Sequence, residues 1–289
     1  MNILIVAFDG MDKELIDDFE LENIKQKEYG GIDNSTGMSG KLLTSELFAS
    51  FITGKTYEEH GVEGLSSWTV DWVEKFEGKV EGNFFFDKFK DFRKALYPVV
   101  NRIEAHDRKH MKEDLAVDTI FEQVDNSRAM FVPGYNPSPF WVSKAPYNVL
   151  KMGYSPEEVV EFYDTREFDY RKRSLFEELE SDIVSPRNFL MCHFHRTDLH
   201  HHMYGDPETG LNREKLLKLY RETDELAGEI KEKALKNGYD LVIFMSDHGL
   251  PANESHNENA FYSSNKELFG KEVPKITDFY ELLMKKSKV

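Results

Sequence analysis

Cysteine is almost absent from this chain of 289 residues, and the single one is Cys192. One cysteine excludes an internal disulfide, and nothing points to an oxidising compartment. Long apolar runs are also missing, since none reaches the ~18 residues that a membrane span needs, and the mean hydropathy is −0.57. The first residues lack the layout of a signal peptide. These absences predict a soluble cytoplasmic protein that does not span a membrane, with Cys192 in an apolar strand of the core.

Positive charge is in short supply, because 37 Lys and Arg residues face 53 Asp and Glu residues, a net charge of −16. A chain that binds a nucleic-acid duplex or an anionic membrane surface normally has a basic face, so both classes of partner are disfavoured. A small anionic substrate stays open, because a bound divalent metal can reverse the local field. The oligomeric state is not indicated by the sequence.

Apolar runs at 3–8, 189–194 and 241–245 predict buried parallel strands, and a further strand is predicted at 129–132. The spacing of apolar residues predicts helices over 12–28, 44–53, 115–124, 156–182, 212–237 and 276–285. Thr44 or Ser45 is the expected N-cap of the second helix, and Gly54 its end. Strands that alternate with helices predict an α/β fold, a mostly parallel sheet sandwiched by helices. We expect one domain over 1–289, with an inserted cap at 65–115.

Side chains that can hold metals follow the predicted strands in three groups. Asp9 follows the first strand, Asp198 and His202 lie in a His-rich loop after 189–194, and Asp247-His248 follow 241–245, with His256 eight residues further on. Because the carboxyl ends of parallel strands meet at one edge of a sheet, we expect these groups to lie together. Carboxylate and imidazole ligands suit zinc, and also manganese or iron.

Four motifs carry a resemblance to a known family: Asp9-Gly10, Thr53-Gly54 with His60-Gly61-Val62, Asp198-x-x-x-His202-x-x-Gly205, and Ser246-Asp247-His248-Gly249. With these motifs the chain resembles the alkaline phosphatase superfamily, and within it the type I phosphodiesterase/nucleotide pyrophosphatase family. The resemblance runs from Asp9 to the C-terminal helix and is poor over 65–115. It implies an alkaline phosphatase-like α/β fold.

The resemblance also implies two divalent metal ions, zinc or manganese, and a division of their ligands. One metal would be held by Asp198, His202 and His256. The other would be held by Asp9, Asp247, His248 and the oxygen of Thr44. Counted back from Thr53-Gly54, Thr44 falls on the family's nucleophile, and the adjacent Ser45 is the alternative.

The implied function is hydrolysis of a phosphodiester or phosphoanhydride bond through a covalent phospho-threonine. The substrate would be a nucleotide-like or other small phosphorylated molecule. Leu65 stands where the eukaryotic nucleotide pyrophosphatases of the family carry an Asn that binds the phosphoryl oxygen, and Lys41, His195 and Arg196 are alternative donors. A phosphomonoesterase or phosphonate hydrolase with the same site stays open. A degenerate relative that only binds metal or ligand is the non-enzyme alternative.

The remaining histidines are assigned from their positions in the chain. His193 and His195 at a strand end either line the site or are only polar strand-end residues. His200 and His201 are expected outside the metal ligands, close behind the site or in solvent. His60 is expected to cap or pack the nucleophile helix.

Overall fold

A computed structural model describes residues 1–64, 67–68, 107–138, 152–206, 210–252 and 255–287. Most of the expected cap at 65–115 lies outside these residues, as does Leu65. Within that stretch, Ser67–Trp68 pairs antiparallel with Asp107–Arg108, so the two ends of the stretch lie side by side. The single-domain organisation and the cap stay predictions.

The sheet of the fold has six strands. They are β1 (Ile3–Phe8), β2 (Glu28–Gly31), β3 (Ser127–Met130), β4 (Phe189–Phe194), β5 (Leu241–Met245) and β6 (Phe261–Ser264). Their order across the sheet is β2-β6-β5-β1-β4-β3. Strands β3, β4, β1 and β5 are mutually parallel, whereas β6 runs antiparallel to both β5 and β2. The sheet is therefore mostly parallel, and its central strand β1 ends at Asp9.

Nine helices are named in the described residues. They are α1 (Lys13–Asp18), α2 (Thr44–Thr53), α3 (Tyr57–His60), α4 (Ile120–Gln123), α5 (Pro156–Tyr163), α6 (Asp169–Leu179), α7 (Arg196–Tyr204), α8 (Arg213–Lys236) and α9 (Asp278–Ser287). A π-helical segment, Asp164–Phe168, joins α5 to α6, and a 3-10 turn spans Lys112–Asp114. Two-residue ladders pair Gly205–Asp206 with Gly210–Leu211 and Pro251–Ala252 with Ser255–His256. None of these helices has both the length and the apolar character that crossing a bilayer demands.

Helices cover both faces of the sheet. Alternate residues of β1 point to opposite sides, so Leu4, Val6 and Phe8 pack with α1, α6 and α8. The intervening Ile3, Ile5 and Ala7 pack with α2, α4 and α9. Each large apolar side chain buried this way contributes about 1.5–3 kcal/mol. Burial on both faces explains why the central strands read as unbroken apolar runs, and the predicted α/β fold class is confirmed.

Several local predictions are wrong, each for an identifiable reason. The helix predicted over 12–28 ends at Asp18, because Glu20 adopts a left-handed conformation, and the segment then forms the edge strand β2. The strand predicted at 129–132 lies at Ser127–Met130, since Phe131 has φ +63. The helix predicted over 115–124 is only α4, which begins after its cap Thr119. The antiparallel strand β6 was not predicted at all.

Two further corrections concern the site. Leu43, not Thr44 or Ser45, is the N-cap of α2, and it makes no side-chain cap hydrogen bond. Thr44 is instead the first helical residue, so its hydroxyl is not used as a cap. The His-rich segment after β4 is a helix, α7, rather than a loop. Gly54 ends α2 in a left-handed conformation as predicted.

Candidate active site

Three neighbouring strands deliver polar side chains to one edge of the sheet. Asp9 directly follows β1, Asp247 and His248 follow β5, and β4 leads into α7, which carries Asp198. All four side chains are buried. This is the edge at which open parallel sheets bind their ligands, because the strand ends and the following loops converge there.

Asp9, Asp247 and His248 form the first ligand cluster, and their ligand atoms lie within 4.8 Å of one another. The His248 Nε2 atom lies 3.4 Å from Asp9 Oδ1 and 3.3 Å from Asp247 Oδ2. Thr44 Oγ1 donates to Asp9 Oδ1 at 3.4 Å and lies 3.2 Å from His248 Nε2. The four residues that the resemblance assigned to one metal therefore surround a common point.

Asp198, His202 and His256 form a second cluster beside the first. Asp198 Oδ1 lies 3.4 Å from Nε2 of both histidines, and the two Nε2 atoms are 3.3 Å apart. Asp198 and His202 sit four residues apart on α7, so they share one face of the helix. His256 arrives from the loop after β5 and also lies close to His248.

The donor set of these clusters fits divalent cations. Nδ1 of His248 donates to the Gly249 carbonyl, and Nδ1 of His256 donates to the Leu42 carbonyl, at 3.0 and 3.1 Å. A ring held in this way directs the Nε2 lone pair into the site, as metal-binding histidines do. The Nε2 lone pair of His248 faces oxygens of Asp9 and Asp247. Lone pairs and negative charges that face one another repel, and a cation between them would stabilise the arrangement.

The carboxylates of the site also favour the binding of cations. Asp9 Oδ2, Asp198 Oδ1 and Asp247 Oδ2 are buried and accept no well-aligned hydrogen bond within the described part of the chain. Burial raises the pKa of Asp9 well above its usual value, and the Asp247 and Asp198 carboxylates raise it further. Burial also raises the pKa of Asp198, but His202 and a hydrogen bond from His195 outweigh it and hold that pKa well below the usual range. Buried carboxylates gathered this closely attract cations.

The structure distinguishes the two candidate nucleophiles by their contacts. The Thr44 hydroxyl reaches Asp9 and His248, as described above. The neighbouring Ser45 is equally buried, but among the described residues its hydroxyl makes no hydrogen bond to a member of either cluster. Its backbone carbonyl instead faces Gly134, where an added Cβ would lie 2.8 Å from that oxygen.

His193 and His195 both line the site rather than being mere strand-end residues. His193 Nε2 lies 3.2 Å from Asp9 Oδ2. His195 Nε2 lies 3.0 Å from Asp198 Oδ2 and 3.6 Å from Asp9 Oδ2. His195 therefore contacts one carboxylate from each ligand cluster. Burial lowers the pKa of both rings.

Three further histidines are buried outside the two ligand clusters. His200 and His201 are buried, so the solvated interpretation is wrong: Nε2 of His200 bonds Asp164 and Nε2 of His201 bonds the Tyr220 hydroxyl. His60 packs beneath α2 with Nε2 3.0 Å from Ser50 Oγ, as predicted. Cys192 is a core residue, and burial raises the pKa of its thiol to about 12.

The guanidinium of Arg196 is bound to other side chains, which argues against its role as a phosphate donor. It makes hydrogen bonds to both oxygens of Asp164 and to Glu222, and it lies over the Phe168 ring. Lys41 is an exposed residue of the loop before α2. His195, in contrast, contacts a carboxylate of each ligand cluster, so it is the donor that the structure favours.

Two supporting residues were missed by sequence reasoning. Asp12 accepts hydrogen bonds from the backbone N–H of Leu250 and from the side chain of Asn257, which ties the loop carrying His256 to the start of α1. Asn34 donates to the carbonyl of Asp247. Asp12 follows Asp9-Gly10 in the sequence, and that proximity is the only sequence signal for either residue.

The comparisons with known proteins agree with this fold. A model of the type I phosphodiesterase/nucleotide pyrophosphatase family matches residues 3–270. The chain therefore belongs to the type I phosphodiesterase/nucleotide pyrophosphatase family, a family of phosphoester hydrolases. No curated protein sequence matches it significantly.

Two solved structures of alkaline phosphatases have a similar fold. The alkaline phosphatase of the Antarctic bacterium TAB5 is similar over 99% of this chain and 97% of its own, with a TM-score of 0.56 and 11% identity. A mutant of the alkaline phosphatase PafA is similar over 86% of this chain and 62% of its own, with a TM-score of 0.52 and 10% identity. Murine ectonucleotide pyrophosphatase/phosphodiesterase 5 matches over 88% of this chain at 14% identity and a TM-score of 0.44, and the match spans 59% of the murine chain.

Proposed function

We propose that this protein is a two-metal hydrolase that cleaves a phosphodiester or phosphoanhydride bond with Thr44 as the nucleophile. The observation that carries the proposal is the position of Thr44 Oγ1, the first residue of a ten-residue helix, between Asp9 Oδ1 and His248 Nε2. Membership of the type I phosphodiesterase/nucleotide pyrophosphatase family supports the reaction class.

Two sets of ligands divide the cations between them. Asp9, Asp247, His248 and Thr44 Oγ1 would hold one, and Asp198, His202 and His256 would hold the other. Zinc and manganese both suit this mixture of carboxylate and imidazole. Bound there, the cations would lower the pKa of the Thr44 hydroxyl and offset the charge on the phosphoryl and leaving oxygens.

Thr44 carries the covalent step. Its hydroxyl is oriented by the hydrogen bond to Asp9 Oδ1 at 3.4 Å. The Oγ1–P bond forms as the P–O bond to the leaving group breaks, the leaving oxygen departs with the bonding electron pair, and the hydroxyl proton passes from Oγ1 to solvent water. The N-terminus of α2 favours the phosphoryl oxygens, since its first backbone N–H groups lack helical acceptors. A water oxygen then bonds to phosphorus, the Oγ1–P bond breaks, and a proton from that water restores the Thr44 hydroxyl.

The proposed substrate is a nucleotide-like or other small phosphorylated molecule. The net charge of −16 opposes a nucleic-acid duplex as partner. Leu65, in place of the Asn of eukaryotic nucleotide pyrophosphatases, favours a second candidate function, hydrolysis of phosphomonoesters or phosphonates at the same site. His195, which contacts both Asp9 and Asp198, is the candidate that replaces the missing donor.

Metal content and hydrolysis measured on one preparation test the proposal. Purified protein is loaded with zinc or manganese, dialysed and subjected to elemental analysis. Its rates are then measured on bis-p-nitrophenyl phosphate, p-nitrophenyl phosphate and a dinucleotide. Thr44→Ala prepared in parallel is the control for a contaminating phosphatase.

The outcomes separate the candidates. We expect two metals per chain and turnover that favours the diester. Two metals with mainly monoester turnover would transfer the assignment to the second candidate. Absence of metal and of turnover after loading would refute the enzyme and leave a degenerate, non-catalytic relative.

A further inference from the structure

A buried row of three charged or polar side chains stands behind Asp9. Arg171 is 1% exposed, Glu167 is 5% exposed and His193 is 2% exposed. Arg171 Nε and Nη2 bind Glu167 Oε1 at 2.7 and 2.6 Å. Glu167 lies in the π-helical segment before α6, and Arg171 lies one turn later. The ion pair is thus fully desolvated, and burying it is costly unless the remaining donors are satisfied.

The remaining guanidinium nitrogen of Arg171, Nη1, contacts His193. Nη1 donates to the His193 carbonyl at 2.7 Å and lies 3.1 Å from the Nδ1 atom of the same residue. A guanidinium has donors and no acceptor. Nδ1 of His193 must therefore offer a lone pair, and the ring proton must sit on Nε2. Phe48 packs against the imidazole in a T-shaped arrangement, with the ring centroids 4.9 Å apart and the planes at 84°.

The fixed proton lies beside a candidate metal ligand. His193 Nε2 lies 3.2 Å from Asp9 Oδ2, close to it but not aligned as a hydrogen bond, while Oδ1 of the same carboxylate faces Thr44 and His248. His248 and His256 have the opposite arrangement, since each donates its Nδ1–H to a backbone carbonyl and directs a lone pair into the site. The partner of Nδ1 therefore decides what each ring presents at Nε2. A backbone carbonyl at Nδ1 leaves a lone pair on Nε2, whereas the Arg171 guanidinium at Nδ1 leaves a proton there.

We propose that His193 is a positioning residue, and that Arg171 and Glu167 lock its ring with the Nε2–H group beside Asp9 Oδ2, 3.2 Å away, where a small rotation of the carboxylate completes the hydrogen bond. This device fixes the rotation of the Asp9 carboxylate, so that Oδ1 is presented to Thr44 and to the cation beside it. It also excludes His193 from the metal ligands despite its place next to Asp9. The inference rests on the proposed function for its purpose, but its geometry and its test do not depend on the substrate.

The tautomer is tested directly by long-range 1H–15N correlation spectra of histidine-labelled protein. The His193 signals are assigned by their loss in His193→Gln. We expect a protonated Nε2 and an unprotonated Nδ1, both before and after zinc is added. An Nδ1–H ring, or a metal-bound nitrogen shift at His193 after loading, would overturn the proposal. Arg171→Met combined with Glu167→Gln removes the lock without leaving a buried charge, and we expect His193 to populate both tautomers.

Zinc titration tests the positioning role. His193→Leu removes the donor, and we expect a 10- to 100-fold weaker affinity for one zinc ion, the range typical of groups that support a ligand. His193→Gln restores an N–H near the position of Nε2, and we expect it to recover most of that affinity. Cys192→Ala perturbs the same strand without touching Asp9 and is the matched control. Equal losses in His193→Leu and His193→Gln, or complete loss of one zinc in both, would contradict the donor role, and zinc binding keeps this result distinct from a failure of the proposed hydrolysis.

Discussion

The His248 and His256 rings stack face to face, with centroids 3.7 Å apart and planes inclined by 18°. His248 belongs to the ligand cluster with Asp9, and His256 to the cluster with Asp198. The stack therefore joins the two clusters, and each ring is held from behind by a backbone carbonyl. Movement of either histidine would disturb both clusters, which is why we treat them as one site.

The first prediction concerns the nucleophile. Thr44→Ala should lower kcat by roughly 10⁴-fold or more, as removal of a nucleophile does in other enzymes. Ser45→Ala should retain most of the activity, because its hydroxyl bonds no described ligand residue. Both variants are compared with the wild type in kcat, melting temperature and metal content. Activity kept in Thr44→Ala and lost in Ser45→Ala would move the nucleophile by one position.

The second prediction concerns metal ligands after β5. Asp247→Asn and His248→Ala should each lower metal occupancy after dialysis, because both residues face the same point as Asp9. Asp240→Asn is the matched control, since Asp240 lies at the other end of β5 and its carboxylate accepts a hydrogen bond from the backbone N–H of Asn2. Elemental analysis gives the occupancy. Unchanged stoichiometry in Asp247→Asn and His248→Ala would refute the ligand assignment.

The third prediction concerns Asp12, which caps α1 and holds the loop of His256. Its Oδ1 accepts from the backbone N–H of Glu14 at 2.8 Å, and its Oδ2 accepts from Asn257 Nδ2 at 2.8 Å. Asp12→Ala should cost about 1 kcal/mol of stability through the lost cap and should also weaken binding of one metal. Urea unfolding and metal titration measure the two effects. Asp17→Asn, an exposed change on the same helix, should leave metal affinity unchanged, and an equal loss there would show that only helix stability matters.

The fourth prediction is a pH dependence from His60. Burial lowers the pKa of His60 to about 4, against 6.5 for an ordinary histidine. The unfolded chain therefore takes up a proton at higher pH than the folded one, so His60 stabilises the fold above pH 6.5 and this contribution is lost as the pH falls towards 4. The loss is about 3 kcal/mol.

Comparison with a variant isolates this effect from the other histidines. His60→Gln should show a smaller decrease in unfolding free energy between pH 7 and pH 4 than the wild type, with both proteins loaded with metal. Urea denaturation at several pH values measures it. Parallel curves for the two proteins would contradict the assignment.

Much of the fold was predictable because its central strands are buried on both faces. The runs Ile3–Phe8, Phe189–Phe194 and Leu241–Met245 have the predicted bounds, and Gly54 ends α2 as expected. Edge elements carry weaker patterns. β2 contains Gly30 and Gly31 and is only partly buried, so it lacks the apolar pattern of a core strand. Its first residue, Glu28, was therefore predicted as the end of a helix.

The candidate site also has features that the sequence predicts and features that it does not. Metal-capable side chains at strand ends could be recognised from residue type and position, and Asp9, Asp247 and His248 lie together as expected. Roles set by contacts distant in sequence could not. The orientation of His193 depends on Arg171, which is 22 residues away on another element. Asp12 reaches Asn257 across 245 residues, a relationship without any local pattern.

The central claim, that the Thr44 hydroxyl attacks phosphorus, is tested most directly by trapping the covalent intermediate. Zinc-loaded protein is mixed with a nucleoside p-nitrophenyl phosphodiester under single-turnover conditions, quenched in acid, digested and mapped by mass spectrometry. The account predicts a nucleotidyl phosphate ester on Thr44 that forms as nitrophenolate is released and is missing in Thr44→Ala. An adduct on Ser45, or product formation without an adduct on either residue, would contradict it.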